Sequence, residues 1–280
     1  MFNTIVAWFT EPLVYPFMQQ AIIIAPIIGA VCAILSCYLV LKGWSLMGDA
    51  ISHAVLPGII LAYVLAIPIA IGAFWAGIFC AVAVGYLKEN SRIKEDTVMG
   101  IVFSGMFALG LVMFAKVETD QHLMHILFGN ILGIIKQEFW QSIGIALLAF
   151  ILIALKRKDL LLYCFDPSHT RVAGLNTKFL HYGLLVFLAL VIISAMQVVG
   201  VILVVAMLIT PGITGYTLAK RFDRMLLIAF LTAVNSAFWG VFLSFHFDVA
   251  TGPCIILLQA SLFLCALGYS KYIAMRVVNI

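Results

Sequence analysis

A chain of 280 residues in which 65% are hydrophobic and 10% are charged departs from an ordinary soluble domain, where about a quarter of residues carry charge. The net charge of +4 is not gathered into a patch, which speaks against nucleic acid as a partner. Cys32, Cys37, Cys80, Cys164, Cys254 and Cys265 include no Cys-x-x-Cys pair, and five fall inside or at the end of apolar runs, so they read as packing residues with neither disulfide nor zinc-cluster spacing.

Repeated apolar runs of about 20 residues, separated by short charged connections, predict an all-α, polytopic membrane protein forming one domain over residues 1–280. The first sixteen residues hold no Lys or Arg, so no cleavable signal peptide is expected. Trp8, Phe9 and Tyr15 among Glu11, Pro12 and Pro16 suit a segment, residues 1–16, lying at the membrane surface.

The first span is expected over 17–41 and the second over 46–66. Pro68 opens a third, to residue 87, and a fourth covers 97–115. The apolar piece Leu123–Ile135 is too short to cross and reads as re-entrant or interfacial. A fifth span, 138–155, ends at Lys156-Arg157-Lys158, and a polar segment runs from Asp166 to Leu175. Residues 180–218 then carry almost no charge. Taken as one broken span they would put Lys220, Arg221 and Arg224 opposite Lys156 to Lys158, against the positive-inside tendency; two spans turning near Gln197–Gly200 keep the cations together. The last spans are expected at 224–245 and 253–275.

Nine spans place the N-terminus outside and the C-terminus in the cytoplasm. Fourteen of the sixteen Lys and Arg then lie inside, with only Lys116 and Lys136 outside. Eight spans remain open if a helix pair merges.

With that topology every acid except Asp49 falls in a loop or at a span end. In Met47-Gly48-Asp49-Ala50-Ile51-Ser52-His53 the acid and the imidazole are four residues apart, which stacks them on one helix face. Pro57 has no N–H to offer the carbonyl of His53, which frees a backbone oxygen beside the ring. An intramembrane acid costs about 2.5–3.5 kcal/mol on insertion scales and usually faces a water path. Carboxylate plus imidazole suits Mn²⁺, Fe²⁺ or Zn²⁺. Two ligands do not close a site, but the same pair from a second subunit would give four, and loose coordination suits a conduit. The alternative is that Asp49 caps a helix starting after Gly48 and His53 is a core histidine.

A second polar group, Glu118, Asp120, His122, His125, His246 and Asp248, lies on the outer side, where it either draws in cations or is simply solvated. Thr210-Pro211-Gly212 should kink the seventh span and free the carbonyl of Met207, and Thr251-Gly252-Pro253 reads as an outer turn. Neither a G-x-x-x-x-G-K-[ST] phosphate loop nor H-E-x-x-H or G-x-S-x-G occurs, so any use of ATP falls to a partner.

Met47 to Gly58, Phe128-Gly129-Asn130-Ile131-Leu132, Asp166 to Leu175 and Val198 to Pro211 together resemble the membrane permease of bacterial manganese, zinc and iron ABC importers, over nearly the whole chain. The resemblance implies eight to nine transmembrane helices in a permease fold similar to the vitamin B12 importer type, in the cytoplasmic (inner) membrane. It implies a homodimer or paired permease, a cytoplasmic ABC ATPase dimer and an extracytoplasmic metal-binding receptor. No enzymatic activity and no permanently bound cofactor are implied, with Mn²⁺, Fe²⁺ or Zn²⁺ as cargo coordinated by Asp49 and His53. It also places an ATPase-coupling segment at 163–176, with Asp166, Arg171, Ala173 and Gly174 as its residues, although Pro167 and Arg171 depart from the commoner pattern. Rival readings are a cation/proton-coupled secondary transporter needing no ATPase, and an intramembrane metalloenzyme, for which no third ligand or general base stands at motif spacing.

Overall fold

The computed structural model describes residues 8, 10–117 and 133–278, and among these there is no β-strand. Among the described residues nine segments are long and apolar enough to cross a bilayer, matching the upper of the two expected counts.

After a 3-10 turn at Pro12–Val14, α1 (Pro16–Lys42) begins with proline at its first position, where the missing N–H is no loss, and ends at left-handed Gly43, whose N–H donates to the carbonyls of Leu39 and Val40. The second span is two helices, α2 (Met47–Ala54) and α3 (Leu56–Val64), broken at Val55. α4 (Ile69–Glu89) starts directly after Pro68, and α5 (Glu95–Lys116) follows a short polar turn. α6 is Lys136–Leu155.

Between Lys156 and the polar segment at Asp166 the sequence pattern assigns no element. The chain turns there into a further helix, α7 (Arg157–Phe165), which buries Leu160, Tyr163 and Cys164 against α1 and α9, and then into the short α8 (Pro167–Val172). Three charges in a row mark the membrane exit, but the apolar residues behind them still need cover, and a helix folded back on the bundle supplies it. α9 (Thr177–Val199) and α10 (Val201–Leu218) meet at Gly200, φ 79° and ψ 161°, the expected place for two spans to part. α11 (Phe222–Phe247) and α12 (Thr251–Val278) complete the bundle.

α1 and α10 cross at the centre, with α11 and α12 packed on them; α2 to α5 form a second group that leans on α9. Within that group, Gly58 of α3 and Gly72 of α4 face each other, and a Cβ on either would run into the backbone carbonyl of the other, with Ala76 and Ala62 as the next contacts. Small residues four apart on both helices let the two backbones touch, the usual device where lipid offers no hydrophobic drive for helix association.

Lys42 and α7 share one end of the bundle, since the Lys42 ammonium sits 4.1 Å from the centre of the Tyr163 ring. Arg157 pairs with Asp223 in the first turn of α11, bringing that helix start to the same end. Lys42, Arg157 and the start of α11 therefore share one end of the bundle.

Candidate metal-ion path

Asp49 lies in the first turn of α2 and His53 one turn on, about 9 Å along the axis from Met47. The residue capping α2 is Leu46, with no side-chain cap, so Asp49 does not serve as the N-cap. A carboxylate three residues into a helix is favoured instead by the positive end of the helix dipole.

Asp49 Oδ1 and His53 Nε2 are 3.3 Å apart. Two ligands on one ion with bonds of about 2.1 Å stand about 3.0 Å apart at adjacent octahedral corners and about 3.4 Å apart at tetrahedral ones. A separation of 3.3 Å is compatible with both atoms reaching one ion, and equally with a direct contact between carboxylate and imidazole. The side chains are 37% and 25% exposed, so neither is sealed in. Phe103 and Phe107 of α5 face the imidazole, with ring centres at 5.6 and 5.3 Å, and form an aromatic wall on one side of it.

Pro57 stands at the start of α3, where the helix restarts, and the Val55 N–H turns to the His53 carbonyl. That N–H comes from only two residues on, too bent a geometry for a full hydrogen bond, so Pro57 still leaves the His53 carbonyl without its helical donor. Ser52 Oγ donates to the Gly48 carbonyl at 2.7 Å, a bond within α2 that keeps the hydroxyl out of the ligand set. Among the described residues no three His, Cys, Asp or Glu side chains gather, so this pair has no third partner of those types there.

Of the outer polar group, Glu118, Asp120, His122 and His125 lie outside the described residues, as do Phe128 to Leu132 of the sequence motif. His246 and Asp248 are described. The His246 ring is stacked on Trp8, centres 4.1 Å apart, and its Nδ1 lies 3.0 Å from the Phe242 carbonyl. Asp248 is exposed in a left-handed turn that ends α11. The structure does not join these two to Asp49 and His53.

α10 runs through Pro211 as one helix, and the turn there is held from α1. Gly212 N–H donates to Ser36 Oγ at 3.0 Å and that hydroxyl lies 3.2 Å from the Ile209 carbonyl, so one side chain of α1 serves the interrupted turn of α10. A Cβ at position 212 would strike Ser36 itself.

At the basic end, Asp166 caps α8 by accepting from the N–H groups of Ser168 and His169 at 2.8 and 3.0 Å, and these two bonds hold its carboxyl below the usual carboxylate range. Arg171 Nε lies 3.4 Å from Thr177 Oγ1, Ala173 follows the helix, and Gly174 turns the chain at φ 78°. Arg171, Val172, Ala173 and Gly174 are all exposed, Val172 to 84%. Sequence reasoning did not find the contacts beneath them: Tyr163 of α7 bonded to His181 of α9, and His181 edge-on to Trp44 just before α2.

The model of the ABC 3 transport family matches residues 14–270. A probable iron transport system membrane protein of Haemophilus influenzae is 68% identical over 94% of this chain and 97% of its own. The manganese transport system membrane protein MntB of Synechocystis is 53% identical over 95% of this chain and 87% of its own. PsaBC from Streptococcus pneumoniae, solved in complex with a Fab, superposes with a TM-score of 0.86 at 37% identity, over 97% of this chain and 99% of that one. With a helical bundle matched end to end in sequence and in structure, the chain belongs to the ABC 3 transport family.

Proposed function

We propose that this chain is the permease subunit of an ABC importer and that it moves divalent transition metal ions, Mn²⁺ or Fe²⁺ with Zn²⁺ of the same chemical class, into the cytoplasm. The observation that carries the reading is the Asp49/His53 pair, set at 3.3 Å on one face of a spanning helix, in a member of a transport family. Iron and manganese are the ions named for the relatives cited above. The ligand pair accepts both, and neither ligand is soft enough to favour copper(I).

Two ligands hold an ion loosely, which permits release, and a second permease copy bringing its own pair would raise the set to four about a shared axis. The exposed α8 and its flanks form the surface against which a cytoplasmic ATPase dimer would push, and ATP hydrolysis belongs to that subunit. A receptor on the opposite face would deliver the ion. The basic end, with Lys42, Lys156 to Lys158 and Lys220 to Arg224, is placed in the cytoplasm by the positive-inside tendency.

The deciding experiment is uptake of radioactive Mn²⁺, Fe²⁺ and Zn²⁺ by cells expressing the complete transport system, comparing wild type with Asp49→Ala and His53→Ala at matched membrane levels. Loss of uptake in both variants, with the ATPase still co-purifying, is expected. Undiminished uptake in both would remove the pair from the path.

A further inference from the structure

The basic end carries a cavity of about 720 Å³ between the end of α10, the start of α11 and the last turns of α12. Lys220, Arg221 and Arg224 line it together with Tyr216, Tyr269 and Ser270. We infer that this cavity seats the head group of an anionic phospholipid, with the three cations on its phosphate and the hydroxyls of Tyr216, Tyr269 and Ser270 on its remaining oxygens.

Charge carries the first step. Among the described residues none of the three cations is in an ion pair. The acid that stands between them in sequence, Asp223, is engaged by Arg157 of α7. Three unpaired positive charges within five residues repel one another, and they sit beside the first turn of α11, where the helix dipole adds to the positive potential. A phosphate there relieves all of these terms, and guanidinium forks match its oxygens.

Position and lining point to lipid as the source of the phosphate. The cavity lies where three spanning helices leave the apolar slab, and Ile228 and Ile273 form its apolar side, next to the exposed Leu227 on α11. A free anion has no use for that apolar side, whereas an acyl chain continues along it. Tyrosines at the boundary are usual at head-group level, and basic pockets between spanning helices are where anionic head groups bind. The inference needs the membrane setting of the chain and does not depend on which ion it carries.

The test uses the permease purified with its ATPase, incubated with phosphatidylglycerol, cardiolipin or phosphatidylcholine and read by native mass spectrometry. Wild type should retain the two anionic lipids and not phosphatidylcholine. The triple variant Lys220→Gln/Arg221→Gln/Arg224→Gln should retain about threefold less or lower, while Lys271→Gln, outside the cavity, retains the wild-type amount. Should the triple variant fail to assemble, Arg224→Gln alone and the rise in melting temperature that phosphatidylglycerol gives wild type supply the same comparison. Equal retention of phosphatidylcholine, or undiminished retention in the variants, overturns the proposal. So does displacement of the lipid by inorganic phosphate alone, which would make the site one for free anions, or efficient cross-linking of a Lys220→Cys variant to the ATPase, which would make the cavity a subunit contact.

Discussion

The phenol oxygen of Tyr163 lies 2.8 Å from Nδ1 of His181, joining the helix that leads into the exposed α8 to the helix that leaves it. The His181 ring in turn meets Trp44 edge to face, centres 5.1 Å apart, and the Trp44 carbonyl accepts from the Met47 N–H at 3.0 Å, where α2 begins. Packed side chains thus run from α7, which leads into α8, to the start of the helix that holds Asp49. If an ATPase pushes on α8 as proposed, these contacts offer a route for the push to reach that helix.

Tyr163→Phe removes one oxygen from that connection and leaves the ring beneath Lys42. We expect ATP hydrolysis to continue while ions moved per ATP fall by about 2- to 30-fold, the range of 0.5–2 kcal/mol seen for coupling residues. Proteoliposomes loaded with ATP measure both quantities, and an unchanged ratio would show that α8 reaches the path by another route.

Asp49→Asn keeps the shape of the side chain and discards its charge. Because Asp49 is partly exposed and does not cap α2, unfolding stability should change by less than about 1 kcal/mol. Mn²⁺ binding measured by calorimetry should weaken by at least about tenfold, as a neutral amide replaces a charged ligand. A variant that bound Mn²⁺ as tightly as wild type would place the ion elsewhere.

Val172 is 84% exposed on α8, the surface proposed above to meet the ATPase. Val172→Asp sets a charge on that surface without touching the core. Recovery of the ATPase with affinity-purified permease should drop at least about fivefold, as a charge stranded in an interface is expensive to desolvate. Unaltered recovery would separate α8 from the ATPase contact.

The spans were legible because hydropathy and charge act over twenty residues at a time, so α1, α4 and α6 lie within two residues of their expected bounds. The break at Gly200 was legible from charge on either side of it. α7 was not, because the seven residues after the Lys-Arg-Lys run carry no length signal and their burial depends on α1 and α9, which are elsewhere in the sequence. The Asp49/His53 pair could be read as one helix face, whereas the aromatic wall of Phe103 and Phe107 could not, since only the packing of α5 on α2 brings it there. Pro57 was legible as a donor missing from the His53 carbonyl; that the span divides at Val55 into two helices was not, since no spacing rule supplies it.

Gly212→Ala should be among the most damaging small changes outside the ion path. Its Cβ would meet the Ser36 backbone, and forcing α1 and α10 apart costs about 1–3 kcal/mol. Ser36→Ala leaves the space unchanged but deprives the buried Gly212 N–H of its acceptor, a loss of about 1–3 kcal/mol. Thermal unfolding in detergent should rank both below wild type, and a pair of Ser36→Gly with Gly212→Ala should recover less than either loss, because the clash includes Ser36 backbone atoms.

Asp166 gives the start of α8 a pH dependence of known sign. Its carboxyl is held below its ordinary value of 3.8 by the His169 and Ser168 N–H groups, so the unfolded segment binds the proton more tightly than the folded one. The stabilisation is complete above the unfolded value and is lost as pH falls through the lower, folded one. Asp166→Asn keeps an acceptor for the two N–H groups but has no proton to take up. The stability difference between wild type and Asp166→Asn should therefore be flat from pH 7 to 5 and shrink below about pH 4. A difference that stayed constant down to pH 3 would mean that the cap does not depend on the ionised form, and that geometry alone holds the start of α8.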